Sequence, residues 1–322
     1  MTKTHYKAVI SAPGEFHLEK VMTRPPSAQQ VLVRLEGCGV CASNLELWEG
    51  RPWISYPLEA GAPGHEGWGI VEAVGGDVDE VREGDRVGVL SRHAFSEVEL
   101  VDAGQVLPLP ACLDGMDFPG ESLAAAMNIF RRADIHPGQR VAVIGLGFLG
   151  SLLVQLATVA GASVIAISPA PASLDAARRM GALHAILLGK LHAVLDEVGR
   201  VTGGSFCERV IEATGDQRGL DLAGELSAVG GKLVIAGAHR GGARRVNVEL
   251  WGARGLDVIN AHANAPADCL DGMRAAIAML GDGRLEPTPL YTHRFRLPDL
   301  SDAFGILGSR DETFIKALMT YD

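Results

Sequence analysis

The 322-residue sequence predicts an α/β protein with two domains. Short apolar runs split by Gly, Pro and Asp fill residues 1–122, which is typical of strands and turns. Over 123–284 apolar strands alternate with helical segments, and this alternation predicts β-α-β units around a parallel sheet. Strand-like pieces return in 285–322. We therefore expect a β-rich domain, completed by that tail, and a doubly wound parallel-sheet domain between its two parts.

The elements follow from periodicity and turn residues. In the first domain we expect strands at 31–37, 69–75 and 85–90. The period changes at 123–133, where LAAAMNIFRRA predicts a helix. In the second domain the expected strands are 141–145, 163–168, 184–188, 209–215, 232–237 and 256–262, and the expected helices are 151–161, 174–182 and 222–231. In the tail we expect strands at 290–297 and 313–319.

Composition narrows the possible functions. The formal net charge is -10, which argues against nucleic acid as a partner because phosphate binding needs basic patches. The five cysteines are an odd and irregularly spaced set, unlike a disulfide framework. The first ten residues lack the apolar stretch of a secretory signal. We therefore expect a cytoplasmic protein.

The longest uncharged segment runs from Val141 to Leu174. It exceeds the roughly 20 apolar residues that a membrane span needs. However, it contains several Gly, Pro and Ser residues and breaks at 145–150 and at Gly161. A strand, a buried helix and a second strand explain it better, so we expect no membrane association.

A glycine loop lies between the first strand and first buried helix of the second domain. In GLGFLG, Gly145 permits a tight turn, Gly147 allows close approach of a pyrophosphate, and Gly150 lets the helix pack near the strand. Phe148 and Leu149 complete the segment at the helix N-terminus, which favours phosphate. The strand–loop–helix context predicts a dinucleotide site, with an ordinary Gly-rich turn as the alternative.

The next strand indicates which dinucleotide is bound. An Asp or Glu at its end would bind the ribose 2′-hydroxyl of NAD, but the strand ends at Ser168. A serine does not repel a 2′-phosphate and can donate a hydrogen bond to it. The sequence therefore favours NADP(H) over NAD(H), although no arginine follows directly.

Metal-ligand residue types cluster in the first domain. Cys38 and Cys41 have a Cys-x-x-Cys spacing, which suits a redox dithiol, half of a structural zinc site, or one metal ligand beside a bystander. His65 and Glu66 follow in a Gly- and Pro-rich loop, and Glu121 lies where the two domains join. Cys, His and carboxylate groups are zinc ligands, and three of them with a water form the catalytic arrangement.

Several motifs in sequence order together resemble the zinc-dependent medium-chain dehydrogenases/reductases of the alcohol, polyol and threonine dehydrogenase group. They are GCGVCASN, GHEGWGIVEAVG, EGDRV, GLGFLG, RVIEATG, GGKLVIAG, YTHRF and FIKALM, and they cover nearly the whole chain. The resemblance implies a GroES-like catalytic domain and a Rossmann domain with a zinc-bound alcohol between them. It also implies hydride transfer between NAD(P)(H) and a secondary alcohol, polyol or ketone, in a homodimer or homotetramer.

The resemblance also implies a ligand set. Cys41 and His65 fall on zinc ligands, and Glu66 and Glu121 on further ligand positions; Glu66 has the alternative of hydrogen bonding beside the site. Cys38 has no ligand position and is expected to pack as a small buried residue. The four-cysteine lobe of many members is absent after EGDRV, where SRHAFSEVELV follows directly. We therefore expect one zinc per subunit.

Further site residues are implied in the same way. Ser43 falls on the hydroxyl that passes a proton, and Glu46 on the end of that relay, where it is either a base or a solvated helix residue. Thr214, Gly237 and Ala238 match loops that border the cofactor in relatives, and turn residues are the alternative. The candidate substrate contacts are Trp48, Trp53, Tyr56 and His93. Lys316 is also singled out, but its spacing assigns it no role.

Two other functions fit the same fold. One is a zinc-free enoyl or quinone reductase, against which the retained Cys41, His65 and Glu121 argue. The other is a non-catalytic NADPH-binding protein, against which the same residues and Ser43 argue. We therefore expect a zinc-dependent enzyme that acts on a small-molecule alcohol or ketone.

Overall fold

The computed structural model describes residues 3–263, 265–309 and 311–321. Its strands are β1 (Thr4–Ala12), β2 (Glu15–Met22), β3 (Gln30–Val40), β4 (Glu66–Val74), β5 (Arg86–Leu90), β6 (Val98–Asp102), β7 (Val106–Pro108), β8 (Arg140–Ile144), β9 (Ser163–Ser168), β10 (His184–Leu187), β11 (Cys207–Glu212), β12 (Ser227–Ile235), β13 (Asp257–Asn260), β14 (Tyr291–Arg296) and β15 (Lys316–Thr320). Its α-helices are α1 (Leu45–Glu49), α2 (Gly120–Ala133), α3 (Phe148–Val159), α4 (Pro171–Arg179), α5 (Leu191–Val201), α6 (Gln217–Leu226), α7 (Val248–Arg254), α8 (Pro266–Gly281) and α9 (Leu300–Ser309).

The chain divides into two compact units, residues 1–124 with 265–322, and residues 125–264. The sequence predicted that the second domain extends to 284. The difference arises because α8 packs against β5 and β7 of the first unit. The helical period of α8 indicates a helix but not the sheet that its apolar face covers.

The first unit is built mainly on antiparallel strands, with β14 and β15 paired in parallel. Its larger sheet has the order β14-β15-β3-β4-β5-β7, with β6 also paired to β3, and β1 pairs with β2. The pairing sets Ala317 of β15 opposite Val40, and Cys38 of β3 opposite Gly67. This register brings the end of β3, the start of β4 and the start of β15 together, although they are far apart in sequence.

The second unit is a parallel sheet in the order β10-β9-β8-β11-β12-β13. Residues Val141–Ile144 of β8 are fully buried, as expected where helices cover both faces of a parallel sheet. This doubly wound arrangement, with the β-rich first unit, confirms the predicted fold class. The strand predicted at 232–237 is present, but β12 begins earlier, at Ser227, and takes up residues that were predicted as the end of the preceding helix.

Among the residues that the structure describes, no helix combines the length and apolar character needed to cross a bilayer.

Candidate active site

Cys41 directly follows β3 and begins a short 3-10 turn, Ala42–Asn44. Its sulfur accepts a hydrogen bond from the backbone N–H of Ser43 at 3.4 Å. The sulfur therefore caps the turn, and the local backbone fixes its position.

Three possible metal ligands meet at this point. One ligand atom each from Cys41, His65 and Glu66 lies within 4.8 Å of the other two. His65 Nδ1 lies 3.0 Å from the Pro63 carbonyl oxygen, and a hydrogen bond there leaves Nε2 as the metal-binding nitrogen. Sulfur, imidazole and carboxylate are the donors that zinc takes. The residues present thus fit a zinc ion.

Glu121 lies beside this group, in the first turn of α2. Its Oε2 is 3.7 Å from His65 Nε2, but Glu121 is not one of the three residues whose ligand atoms meet. Burial raises the pKa of Glu121, and the charge of His65 opposes that rise. The structure therefore brings Glu121 next to the imidazole.

Glu66 has a second set of partners behind the metal group. It is fully buried, and its Oε2 lies 2.6 Å from the ammonium nitrogen of Lys316, which is itself buried. The hydroxyl of Ser122 donates to the same carboxylate at 2.9 Å. Burial alone would raise the pKa of Glu66, but the charge and hydrogen bonds of these partners hold it below its ordinary value. Glu66 is therefore ionised at neutral pH.

The pKa of His65 reflects the negative charges that surround its ring. Burial alone would lower the pKa of His65, but its hydrogen bond to Cys41 and the charges of Cys41, Glu121 and Glu66 raise the pKa to about 10. A metal ion binds neutral imidazole, so it must displace this proton. A site that stabilises a cationic ring this strongly is well suited to a dication.

Lys316 is a site residue to which the sequence motifs assigned no role. The lysine begins β15 within the otherwise apolar FIKALM segment, and its Nζ donates to Glu66 Oε1 at 2.7 Å. A buried lysine is rare unless it is paired. A charge inside an apolar strand was therefore the available signal, although it does not identify the partner.

The two residues of the implied proton relay have different surroundings. Ser43 Oγ lies 3.4 Å from His65 Nε2 and donates to Asn44 Oδ1 at 3.2 Å. Glu46 lies in the first turn of the short helix α1, and its carboxylate lies 3.8 Å from Nε of Arg51. The structure thus sets Ser43 against the metal group and gives Glu46 an arginine partner.

Cys38 is not one of the three residues whose ligand atoms meet, although the charge of Glu66 acts on its thiol. It is fully buried in β3, its thiol donates to the Gly39 carbonyl at 3.3 Å, and burial raises its pKa well above the ordinary value. A thiol in these surroundings is inert as a nucleophile.

The aromatic residues near the metal loop have mixed environments. Trp48 stacks on Phe304 at 4.7 Å between ring centroids, and the Tyr56 hydroxyl donates to the Leu47 carbonyl at 2.6 Å, so both are used in packing. Trp53 is 73% exposed. His93 Nε2 lies 3.2 Å from a carboxylate oxygen of Glu59. Of the three aromatic residues, Trp53 therefore remains available to a ligand.

The glycine loop of the second unit has the geometry of a phosphate cradle. Gly145 has a φ of 91°, and a methyl group on Gly150 would lie 1.9 Å from the Gly145 carbonyl oxygen. A methyl group on Gly147 would meet nothing within 4 Å, so there is room for a ligand in front of it. Phe148 and Leu149 form the first turn of α3, where backbone amides favour an anion. The loop fits a pyrophosphate.

The other predicted cofactor residues lie at the carboxyl ends of the strands. Ser168 ends β9 and is buried, and its Oγ accepts a hydrogen bond from the Ala170 amide at 3.2 Å. Thr214 follows β11, and Gly237 and Ala238 follow β12. Ligands of open α/β sheets bind at this edge.

Comparison with known proteins matches both parts of the chain. The family model "Alcohol dehydrogenase GroES-like domain" matches residues 27–111, and "Zinc-binding dehydrogenase" matches 149–278. L-galactonate-5-dehydrogenase of Escherichia coli (strain K12) is 24% identical over 92% of this chain and 93% of that protein. Sorbitol dehydrogenase of Homo sapiens is 26% identical over 96% and 92%. The structure of 2R,3R-butanediol dehydrogenase from Bacillus subtilis, 23% identical, covers 99% of this chain and 100% of its own with a TM-score of 0.86, which supports the fold.

Proposed function

The chain belongs to the zinc-type medium-chain dehydrogenase/reductase family, and on that premise we propose that it transfers a hydride between NAD(P)(H) and a secondary alcohol or polyol, or the corresponding ketone. The observation that carries this proposal is the meeting of Cys41, His65 and Glu66 ligand atoms within 4.8 Å. The relatives that span nearly the whole chain are named as dehydrogenases of a sugar acid and of a polyol. These names support the substrate class.

The residues of the metal site have different roles in the proposed reaction. Cys41 and His65 would hold the zinc, one per chain, and Glu66 or Glu121 would complete the ligand set. The chemistry supplied by the two groups when bound is polarisation of the substrate oxygen by zinc and hydride exchange with the nicotinamide. Glu66 adds a negative charge to the site, and Lys316 keeps that carboxylate ionised.

Ser43 is the proposed proton carrier. Its hydroxyl can accept a proton from an alcohol and pass its own proton on, and its Oγ is held 3.4 Å from His65 Nε2. Glu46 is the proposed next acceptor, for which its ion pair with Arg51 must open. Glu46 follows Ser43 closely in sequence, in the first turn of α1.

For the dinucleotide, the glycine loop would hold the pyrophosphate, and Thr214, Gly237 and Ala238 would border the rest. We propose NADP(H) over NAD(H), because Ser168 ends β9 without a carboxylate that would repel a 2′-phosphate. We further propose a cytoplasmic homodimer or homotetramer. One of the two outermost strands of the parallel sheet, β13, is an edge through which two copies can pair.

The first test counts zinc in the purified protein by mass spectrometry and measures reduction of NADP⁺ and NAD⁺ with sorbitol, 2,3-butanediol and L-galactonate. We expect one zinc per chain and faster turnover with NADP⁺. Absence of zinc in protein prepared with added zinc and without chelator, together with NADPH-dependent reduction of a quinone, would instead identify a zinc-free reductase.

Replacing Ser43 tests the proton relay. We expect Ser43→Ala to lower turnover about 10²-fold, the range for a lost proton-transfer group, because no hydroxyl then receives the alcohol proton. Ser43→Thr, which keeps a hydroxyl, is the matched control and should retain most activity. Zinc content should stay constant in both variants. Equal rates for wild type and Ser43→Ala would remove Ser43 from the relay.

A further inference from the structure

A second chain of polar groups lies at the carboxyl edge of the parallel sheet and has no part in the metal site. It begins at Glu212, the last residue of β11, which is fully buried. Its Oε1 accepts hydrogen bonds from the Thr214 amide at 2.6 Å, the Thr214 hydroxyl at 2.5 Å and the Gly215 amide at 2.9 Å. Its Oε2 lies 2.7 Å from His239 Nε2. One carboxylate thus contacts the loops that follow two neighbouring strands.

His239 is held at both ring nitrogens. Its Nδ1 lies 3.2 Å from Nε of Arg244, which carries a proton at all ordinary pH and must donate. Nδ1 is therefore the acceptor, and Nε2 carries the hydrogen that is donated to Glu212. The two neighbours define a single orientation of the imidazole.

Arg244 closes the chain onto the backbone. Its two terminal nitrogens donate to the carbonyl oxygens of Gly215 at 3.3 Å, Arg240 at 2.6 Å and Gly242 at 3.2 Å. These bonds use the guanidinium to fasten the loop after β12 to the loop after β11. Arg244 therefore acts as a structural tie between the loops rather than as a charge offered to an anion.

The two loops also approach each other closely enough to exclude side chains. A methyl group on Gly215 would lie 2.5 Å from the Ala238 carbonyl oxygen, and one on Gly237 would lie 2.2 Å from the Gly215 amide nitrogen. The backbone shape at this point is thus set by packing as well as by the polar chain. A small displacement of one loop must move the other.

The sheet order decides which part of a dinucleotide these loops border. The glycine loop follows β8, and β9 and β10 lie on one side of β8 while β11 and β12 lie on the other. Sheets of this order bind one mononucleotide half on each side of the switch point, with the adenosine ribose at the strand that follows the glycine loop in sequence, here β9. The loops after β11 and β12 therefore border the nicotinamide half.

We propose that the chain Glu212–His239–Arg244 fixes the two loops that receive the nicotinamide half of the cofactor, which makes His239 a positioning residue for dinucleotide binding. This inference rests on the proposed dinucleotide function. Its physical basis is preorganisation: a loop pair that is rigid before binding loses less conformational freedom when the ligand arrives. Without the imidazole, a buried carboxylate loses a partner and the loop after β12 loses one of its links to the end of β11.

The test compares two ligands on the full-length protein. Dissociation constants are measured for NADPH and NADH, which span both halves of the crevice, and for ADP, which fills only the adenosine and phosphate half. We expect His239→Phe to weaken binding of the dinucleotides about tenfold or more, because loops that are no longer preorganised lose more conformational freedom when the ligand binds. Binding of ADP should change less than about twofold, because β8 and β9 are untouched.

Two control variants separate positioning from general loosening. His239→Gln keeps a donor for Glu212 and an acceptor for Arg244, so it should restore most of the dinucleotide affinity. Arg245→Ala removes an exposed neighbour whose backbone, not side chain, bonds to Gln217, and it should bind like wild type. If His239→Phe does not fold, Arg244→Met breaks the same chain at its outer end and should show the same selective loss.

Each outcome either supports or overturns the proposed role of His239. A selective loss of dinucleotide affinity, reversed by His239→Gln, supports the proposal. Unchanged dinucleotide affinity in His239→Phe or, where that variant does not fold, in Arg244→Met overturns it. An equal loss of affinity for ADP and NADPH also overturns it, since the Glu212–His239–Arg244 chain would then only stabilise the fold. A wild-type protein that binds neither dinucleotide refutes the proposed function, and this inference with it.

Discussion

Cys41→Ala and His65→Ala are each expected to abolish zinc content and alcohol-dependent turnover while leaving the protein folded. Each variant removes one of the three ligand atoms that meet within 4.8 Å. Removing the sulfur also takes away the hydrogen bond and charge that contribute most to the raised pKa of His65. A zinc ion held by fewer protein ligands dissociates, because structural and catalytic sites rely on at least three.

The measurements are zinc per chain by mass spectrometry, turnover with the best alcohol substrate, and dissociation constants for NADPH. Dinucleotide affinity serves as the folding control, since the glycine loop belongs to the other compact unit. Cys38→Ala is the matched control for the Cys-x-x-Cys pair, because Cys38 is buried in β3 and bonds only locally to Gly39. It should keep its zinc. Full activity in Cys41→Ala or His65→Ala would refute the zinc mechanism.

The fold was largely predictable from local pattern. The apolar runs that became β8 and β9 are short and bounded by glycine, so their length and boundaries identified them as buried strands. The periodicity of apolar residues did not show to which unit α8 belongs. The apolar face of a helix does not reveal which sheet covers it. The early start of β12 was also hidden, since SAVGG is equally consistent with a helix end and with a strand that passes through glycines.

The site was predictable only where its residues are close in sequence or belong to a shared motif. Cys41 and Ser43 lie in one turn, and His65 and Glu66 are neighbours, so motif resemblance identified them together. The pairing of Glu66 with Lys316 joins residues that are 250 positions apart. It depends on β15 pairing with β3 and on β3 pairing with β4. Such a contact is set by sheet register, which spacing along the chain does not encode.

Lys316→Met is expected to lower the free energy of unfolding by about 3–5 kcal/mol, the range for breaking one side of a buried ion pair. The large effect follows from burial: Glu66 is 0% and Lys316 4% exposed, so the remaining carboxylate has little water to solvate it. Ser122 would still donate to Glu66, but one hydroxyl does not neutralise a charge. Chemical denaturation of wild type and variant at equal zinc concentration measures the difference.

The pH dependence of this difference has a defined sign. In wild type the pKa of Glu66 is held below its ordinary value of about 4.3, so the pair stabilises the fold above that pH and loses its effect as the pH falls through the lowered pKa. The pKa of Lys316, which burial alone would lower, is raised by Glu66. Its contribution is therefore complete below about 10.4 and is lost as the pH rises through the raised pKa. We expect a constant difference near neutrality.

In Lys316→Met, Glu66 keeps the charge of His65 but loses the ammonium group of the lysine. Burial then raises the pKa of Glu66 relative to wild type, so mild acid protonates the carboxylate in the variant first and narrows the difference in unfolding free energy.

A double variant tests the same charge effect at pH 7. Glu66→Gln/Lys316→Met should be clearly more stable than Lys316→Met alone, since neither member of the pair then carries a buried charge. If the double variant lost as much free energy of unfolding as the two single variants together, the lysine would stabilise the fold by packing rather than by charge.

The zinc content of the double variant then decides the role of Glu66. Retained zinc makes Glu66 a neighbour of the metal, whereas lost zinc, with Cys41 and His65 intact, makes it a ligand.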